Sequence, residues 1–400
     1  MSHSKAFAPG REPFRDVSNL QLGRAHAPLG ISNPTRAIYD PQPPKKVEGA
    51  AANDHGGLHT DTDTAKAGTP DYHFLWRSRD NRKGRHPIVI NQSTSSTIVD
   101  APRATSHPHE VLQVVLKMLT QYPVWDISWL VAYIFTLGSV VWCINGFFSF
   151  LPYIRPSSEF KGEVLDGGGI TAIIGAILFF EIGSILLMFE AINENRAGCF
   201  GWAVESLFPE DDKQGGYRLT PFISRCEHHH QNRKNLVGKK ATHHDPNMKP
   251  ERSEPGKSWT WWPPRHSLRH HYIHELGFVA SFAQFCGATV FGISGFTALP
   301  GIINKMSPGL TKGIYWTPQV VGGSGFIISG TLYMLETQSK WYLPAPRVLG
   351  WHIAFWNLLG GIGFTLCGAL GFSTSHSAEY QAACSTFWGS FVSTQSQTVA

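Results

Sequence analysis

The apolar positions of this chain fall into five long runs, at about 129–151, 168–192, 276–299, 314–335 and 349–372. Each is near the roughly 20 residues a helix needs to cross a bilayer. Before them, residues 1–106 are polar and rich in Pro, Gly, Ser, Thr, Asp and His, which predicts a disordered tail unable to bury enough surface to offset its ordering entropy. Within the tail, an apolar island at Phe74-Leu75-Trp76 precedes Arg77, Arg79, Arg82, Lys83 and Arg85, read as a solvated basic stretch or one touching anionic lipid. Between tail and runs, Val111, Leu112, Val115, Met118 and Leu119 share one helical face and predict an amphipathic interfacial helix within 107–128.

A short pattern recurs in the odd-numbered runs: Gly138…Gly146-Phe147, Gly287…Gly295-Phe296 and Gly363…Gly371-Phe372, each a Gly, seven residues, then Gly-Phe. The even-numbered runs also match, Ser184…Glu190 against Gly330…Glu336. The unit is thus a two-helix hairpin, repeated in parallel. The expected fold class is all-α: a polytopic membrane bundle of about five transmembrane helices. Its segments are a disordered tail (1–106), an interfacial helix (107–128), hairpin 1 (129–192), a His-rich loop (193–273), hairpin 2 (274–338) and hairpin 3 (347–400). In hairpin 3 the apolar run ends at Val392, which predicts a truncated second helix: a five-span form, or a shortened six-span design. Small-residue stripes (Gly360, Gly363, Cys367 and Gly371; Gly322, Gly325 and Ser329) predict close helix contacts, within the chain or in a homo-oligomer.

Lys and Arg concentrate in the tail, the 193–273 loop and the 340–347 turn, which the positive-inside rule assigns to the cytosol. The first residues lack the apolar core of a signal peptide, so targeting is expected to come from the first span. On this topology the sequon Asn91-Gln-Ser93 is unmodified. The formal charge of +5 is modest and follows this orientation signal; the expected partner is the lipid bilayer and not nucleic acid. The six cysteines form no CxxC pair, and three lie in apolar runs, against a disulfide framework.

The hairpin pattern (an aromatic or His entry, a Gly-rich first helix ending in Gly-Phe, a second helix leaving with Glu) resembles the small bacterial two-helix membrane domain called YrhK-like. The stretches Trp262 through Leu276-Gly277-Phe278 to Thr297-Ala298-Leu299-Pro300, and Trp351-His352 to Gly371-Phe372, resemble uncharacterised integral membrane proteins of filamentous fungi. The resemblance covers roughly residues 110–390 and implies a fold and a membrane location, with no activity to carry over.

Two sets of residues carry candidate chemistry. Glu181 is an intramembrane carboxylate, a functional candidate by its cost alone, and Asn145, Gln284 and Asn357 are its candidate partners in a polar site. The second set is histidine-rich. His266, His270, His271 and His274 resemble one histidine box of the membrane di-iron hydroxylases and desaturases, with His228, His230, His243 and His244 as further ligands. Cys226 with those loop histidines is a candidate zinc set without finger spacing. No Walker loop, GxSxG or dinucleotide fingerprint occurs in suitable context. The expected role is non-enzymatic, small-molecule transport or permeation or a membrane scaffold, with no cofactor. The alternative is a His-rich membrane metalloenzyme holding zinc or iron.

Overall fold

The computed structural model describes residues 20–41, 72–85, 88–90, 122–205 and 259–398, with isolated positions in 3–7 and 109–120. It is mostly helical. Among the described residues, four helices are long and apolar enough to cross a membrane: α2 (Ile127–Ile154), α3 (Glu163–Ile192), α4 (Leu276–Thr297) and α6 (Leu349–Leu370). At 1.5 Å per residue, even the 22-residue helices reach about 33 Å, enough for a hydrocarbon core about 30 Å thick. Two further long helices, α5 (Thr317–Thr337) and α7 (His376–Thr398), pack among them. Each of the six touches the next in chain order, and α7 returns to α2, so the bundle is a closed ring.

The recurring glycines close this ring. A Cβ on the first glycine of each pattern would strike the following helix: Gly138 meets Phe179 Cβ at 2.7 Å, Gly287 meets Gly322 O at 2.9 Å, and Gly363 meets Gly389 Cα at 2.8 Å. The second glycine faces the preceding helix. Gly146 meets Phe387 Cα at 3.1 Å, Gly295 meets Ala176 Cβ at 2.6 Å, and Gly371 lies under the Trp316 ring. One pattern thus serves both neighbours of α2, α4 and α6, by close backbone approach where lipid offers no hydrophobic drive. The small-residue stripes on α5 and α6 are used inside this single chain.

At the centre, Trp142 lies 5.8 Å from Phe180, 5.6 Å from Phe291 and 5.0 Å from Phe364, and Phe326 lies 5.7 Å from Phe180. All five rings are buried and come from α2, α3, α4, α5 and α6. They form an aromatic plate across the ring, with tilted and edge contacts that suit aromatic quadrupoles.

Two expectations are corrected. The second helix of hairpin 3 does not stop with its apolar run at Val392: α7 is 23 residues long, although it is not among the four helices apolar enough to cross a membrane. Its hydroxyls disguise it. Ser385, Thr386, Ser390 and Thr394 each bond the carbonyl four residues earlier, so a hydroxyl-rich segment satisfies its own polar groups inside the bundle. Nor is the tail wholly without structure. Strands β1 (His3–Ser4), β2 (Leu20–Ala27), β3 (Arg36–Pro41), β4 (Tyr72–Arg77) and β5 (Ile88–Ile90) form an antiparallel sheet in chain order. Period-two alternation places Ala37, Tyr39, Phe74 and Trp76 in one small core with Ala25 and Phe7. Of the predicted interfacial helix only His109, Leu112, Gln113, Leu116, Thr120 and the stretch from Tyr122 are described; the four numbered positions up to 116 are helical and exposed. The sequon lies outside the described residues.

Candidate functional site

Helices α2, α4 and α6 enter the bundle on the same motif: an apolar residue, a small one, then an aromatic. These are Ile127-Ser128-Trp129, Leu276-Gly277-Phe278 and Leu349-Gly350-Trp351. Asp126 caps the first, accepting from Ser128 N at 2.8 Å and Trp129 N at 3.3 Å. The small second residues leave a gap at this end, and the short helix α1 (Ser78–Arg82), which follows β4, fills it.

Arg82 reaches Glu336 at the end of α5 with two prongs. Nη2 donates to Oε2 at 2.8 Å, and Nη1 makes a second, short bond to Oε1. Ser78 Oγ donates to the same carboxylate at 2.6 Å. The Arg82 and Glu336 side chains are 7% and 1% exposed. Gly277 makes room for this pair, because a Cβ there would overlap the Arg82 guanidinium. Gly350 does the same for Arg79, whose Cδ lies 2.9 Å from where a Cβ would stand. The Tyr333 ring lies 5.7 Å from the Arg82 guanidinium, within cation–π range. At the entry of α2, Ser128 Oγ donates to Glu190 at 3.0 Å.

Beneath α1 lies a cavity of about 120 Å³. Its polar walls include Gln284, Asn357, Tyr333 and Glu190, and the plate residues Phe180, Phe326 and Phe364 also line it. At about 30 Å³ per water it holds a few waters or a small solute. Arg79, Arg82 and Lys83 form its basic side. Arg82 stays firmly charged: burial opposes the charge, but Glu336 outweighs it and raises the pKa. Burial, with Arg79 beside it, pulls Lys83 down to about 8. Burial also lowers Arg79, against the pull of Asp80.

The four intramembrane candidates therefore do not converge. Gln284 and Asn357 share the cavity, but Glu181 and Asn145 are not among its walls. Glu181 accepts from Thr289 Oγ1 at 3.0 Å across the α3–α4 seam. Asn145 donates to Gly168 O at 2.7 Å and Thr171 Oγ1 at 2.9 Å, tying α2 to the start of α3. The Thr289 hydroxyl meets one carboxylate oxygen of Glu181, Oε1; Oε2 is buried without a hydrogen-bond partner.

The histidine box is likewise split. His266 and His270 are exposed, with ring centroids 4.5 Å apart. His274 Nδ1 lies 3.1 Å from Ile31 O. Only His271 turns inward, between Glu194 and Glu275. Cys226, His228, His230, His243 and His244 lie outside the described residues.

Sequence reasoning missed the mouth residues Arg79, Arg82 and Lys83 as bundle contacts and read them as facing solvent or lipid. The available signal was the recurring small residue at each helix entry, three gaps on one end of the ring. No protein family, characterised protein or solved structure matches this chain.

Proposed function

We propose that this chain is a multi-pass membrane protein whose six long helices cross the bilayer as three repeated hairpins, and that it binds and passes a small polar solute. Its N-terminal segment lies in the cytosol and acts as a stopper. The observation that carries this reading is the cavity inside the ring, mostly apolar but with Gln284 and Asn357 in its walls and Arg79 and Arg82 of α1 on its rim. A six-helix count returns both ends of the bundle to one side, in agreement with the charge asymmetry of the tail, the long loop and the 340–347 turn. The three-hairpin arrangement also supports kinship with the YrhK-like two-helix domain.

In this reading the aromatic plate is the inner gate and α1 the cytosolic one. Solute entry requires α1 to leave Glu336, and passage requires the plate to part. The test is flux in proteoliposomes, comparing the intact chain with Arg82→Ala for water, urea, glycerol and small carboxylates. Faster flux of at least one solute in the variant supports a stoppered pathway. Impermeability of both proteins, with α1 shown to be released, removes it.

A membrane scaffold is the second reading, favoured by the plate itself. Five packed rings across the ring centre make a rigid, closed core. A scaffold predicts no flux in any variant.

A further inference from the structure

The end of α3 and the approach to α4 bring together three side chains that the solute reading does not use. Glu194 follows α3; His271 and Glu275 lie just before α4, four residues apart. Their ligand atoms all lie within 4.8 Å of one another. An ion at the centre of such a triangle sits no more than about 2.8 Å from each corner, and a side-chain shift of under an ångström brings it to the ~2.0–2.2 Å of nitrogen and carboxylate ligands. We propose that Glu194, His271 and Glu275 form a site for a divalent transition-metal ion, of the Zn²⁺ or Mn²⁺ kind, that fastens the N-terminal sheet to the helix bundle.

Three observations carry it. The donor set is one imidazole and two carboxylates, which suits borderline divalent ions and lacks the thiolates that soft ions select. Both carboxylates lack a Lys or Arg partner among the described residues: His271 is the basic group at ion-pair distance, its Nε2 3.7 Å from Glu194 and its Nδ1 4.0 Å from Glu275. Two carboxylates, one of them buried, beside one imidazole leave charge that a divalent cation neutralises. The site also has both support and an entrance. Asn33 Nδ2 donates to Glu275 Oε1 at 2.8 Å, the kind of outer hydrogen bond that orients a ligand. The Glu194 side chain is 28% exposed, which opens a path from solvent.

Asn33 gives the site its consequence. It stands in the β2–β3 connection, whose backbone also bonds the bundle side, Asn33 N donating to His274 O at 2.8 Å. An ion holding Glu275 and His271 in place fixes the surface on which this connection sits.

The test is calorimetric titration of the purified, full-length protein with Zn²⁺ and with Mn²⁺, alongside metal analysis. A variant with His228–His230, His243 and His244 replaced by Ala silences the long loop. In that background the expected result is one equivalent bound, and His271→Ala or Glu275→Gln weakening it by roughly 100-fold or more. His266→Ala/His270→Ala should leave it unchanged. Should Glu275→Gln fail to fold, Glu194→Gln serves instead. A second readout is thermal: the ion should raise the melting temperature of the loop-silenced protein and not of its His271→Ala form. Equal binding with and without His271, absence of binding up to millimolar ion, or a stabilisation that follows pH and ignores metal each overturns the proposal.

Discussion

Arg82 and Glu336, 254 residues apart in the chain, meet as a buried two-pronged ion pair that joins the N-terminal segment to the end of α5. Its role is positional. Two desolvated charges gain little net stability from each other, but removing one leaves the other unpaired at a cost of about 3–5 kcal/mol. Arg82→Ala and Glu336→Gln should each lower stability by that order, and the double variant by far less than the sum. Thermal unfolding in detergent, analysed as a double-mutant cycle, measures the coupling.

Gly277 predicts the same loss by another route. Its missing Cβ is the space the guanidinium occupies, so Gly277→Ala should expel Arg82 from the mouth. The effect should vanish when Arg82 is already Ala. Accessibility of α1 to limited proteolysis, in the two backgrounds, reads this directly.

The ring seams predict a contrast among glycines. Gly287→Ala and Gly363→Ala press a methyl group into the facing backbone, an overpacking that costs about 1–3 kcal/mol. Gly309→Ala and Gly313→Ala meet nothing within 4 Å and should leave the melting temperature within about 1 °C. Equal effects at both pairs would contradict the seam assignment.

Lys83 makes the docking of α1 pH-dependent. In place, burial and Arg79 hold it at about 8, below its ordinary 10.5, with Arg82 and Arg85 acting in the same sense and Glu190 opposing. Docking therefore releases a proton between those two values, so the docked state gains on the released one as pH rises from about 8 toward 10.5. Below pH 8 the lysine is charged in both states and the penalty is fully present. Hydrogen exchange of residues 78–85, corrected for the intrinsic rate, should show stronger protection at pH 9.5 than at pH 7.5. Lys83→Met should abolish the difference.

The membrane helices α2, α3, α4 and α6 were legible because their apolar runs are long, and the Gly-x7-Gly-Phe pattern because close helix approach admits few residues besides glycine. What escaped was hidden for physical reasons. Helix α7 hides because its Ser and Thr hydroxyls count as polar in any hydropathy sum, yet each bonds its own helix. The sheet hides because β3 and β4, which pair directly, are separated by thirty residues of polar chain (42–71). The Arg82–Glu336 pair hides because its members come from distant segments with no local signature; of the Glu194–His271–Glu275 cluster, His271 stands in the histidine-rich stretch, but Glu194 comes from the far side of the long loop. Glu181 is conspicuous in sequence, but the partner it finds, Thr289 across the α3–α4 seam, carries no signal there.

The central claim is that α1 stoppers a cavity inside the bundle, and thiol labelling tests it most directly. Asn357 lines that cavity. In a chain whose six native cysteines are replaced, Asn357→Cys should react slowly with a membrane-impermeant thiol reagent applied from the α1 side. Adding Arg82→Ala should speed the reaction by tenfold or more, the change expected from opening a route worth about 1.4 kcal/mol or more in population. Identical labelling rates with and without Arg82 would contradict the account.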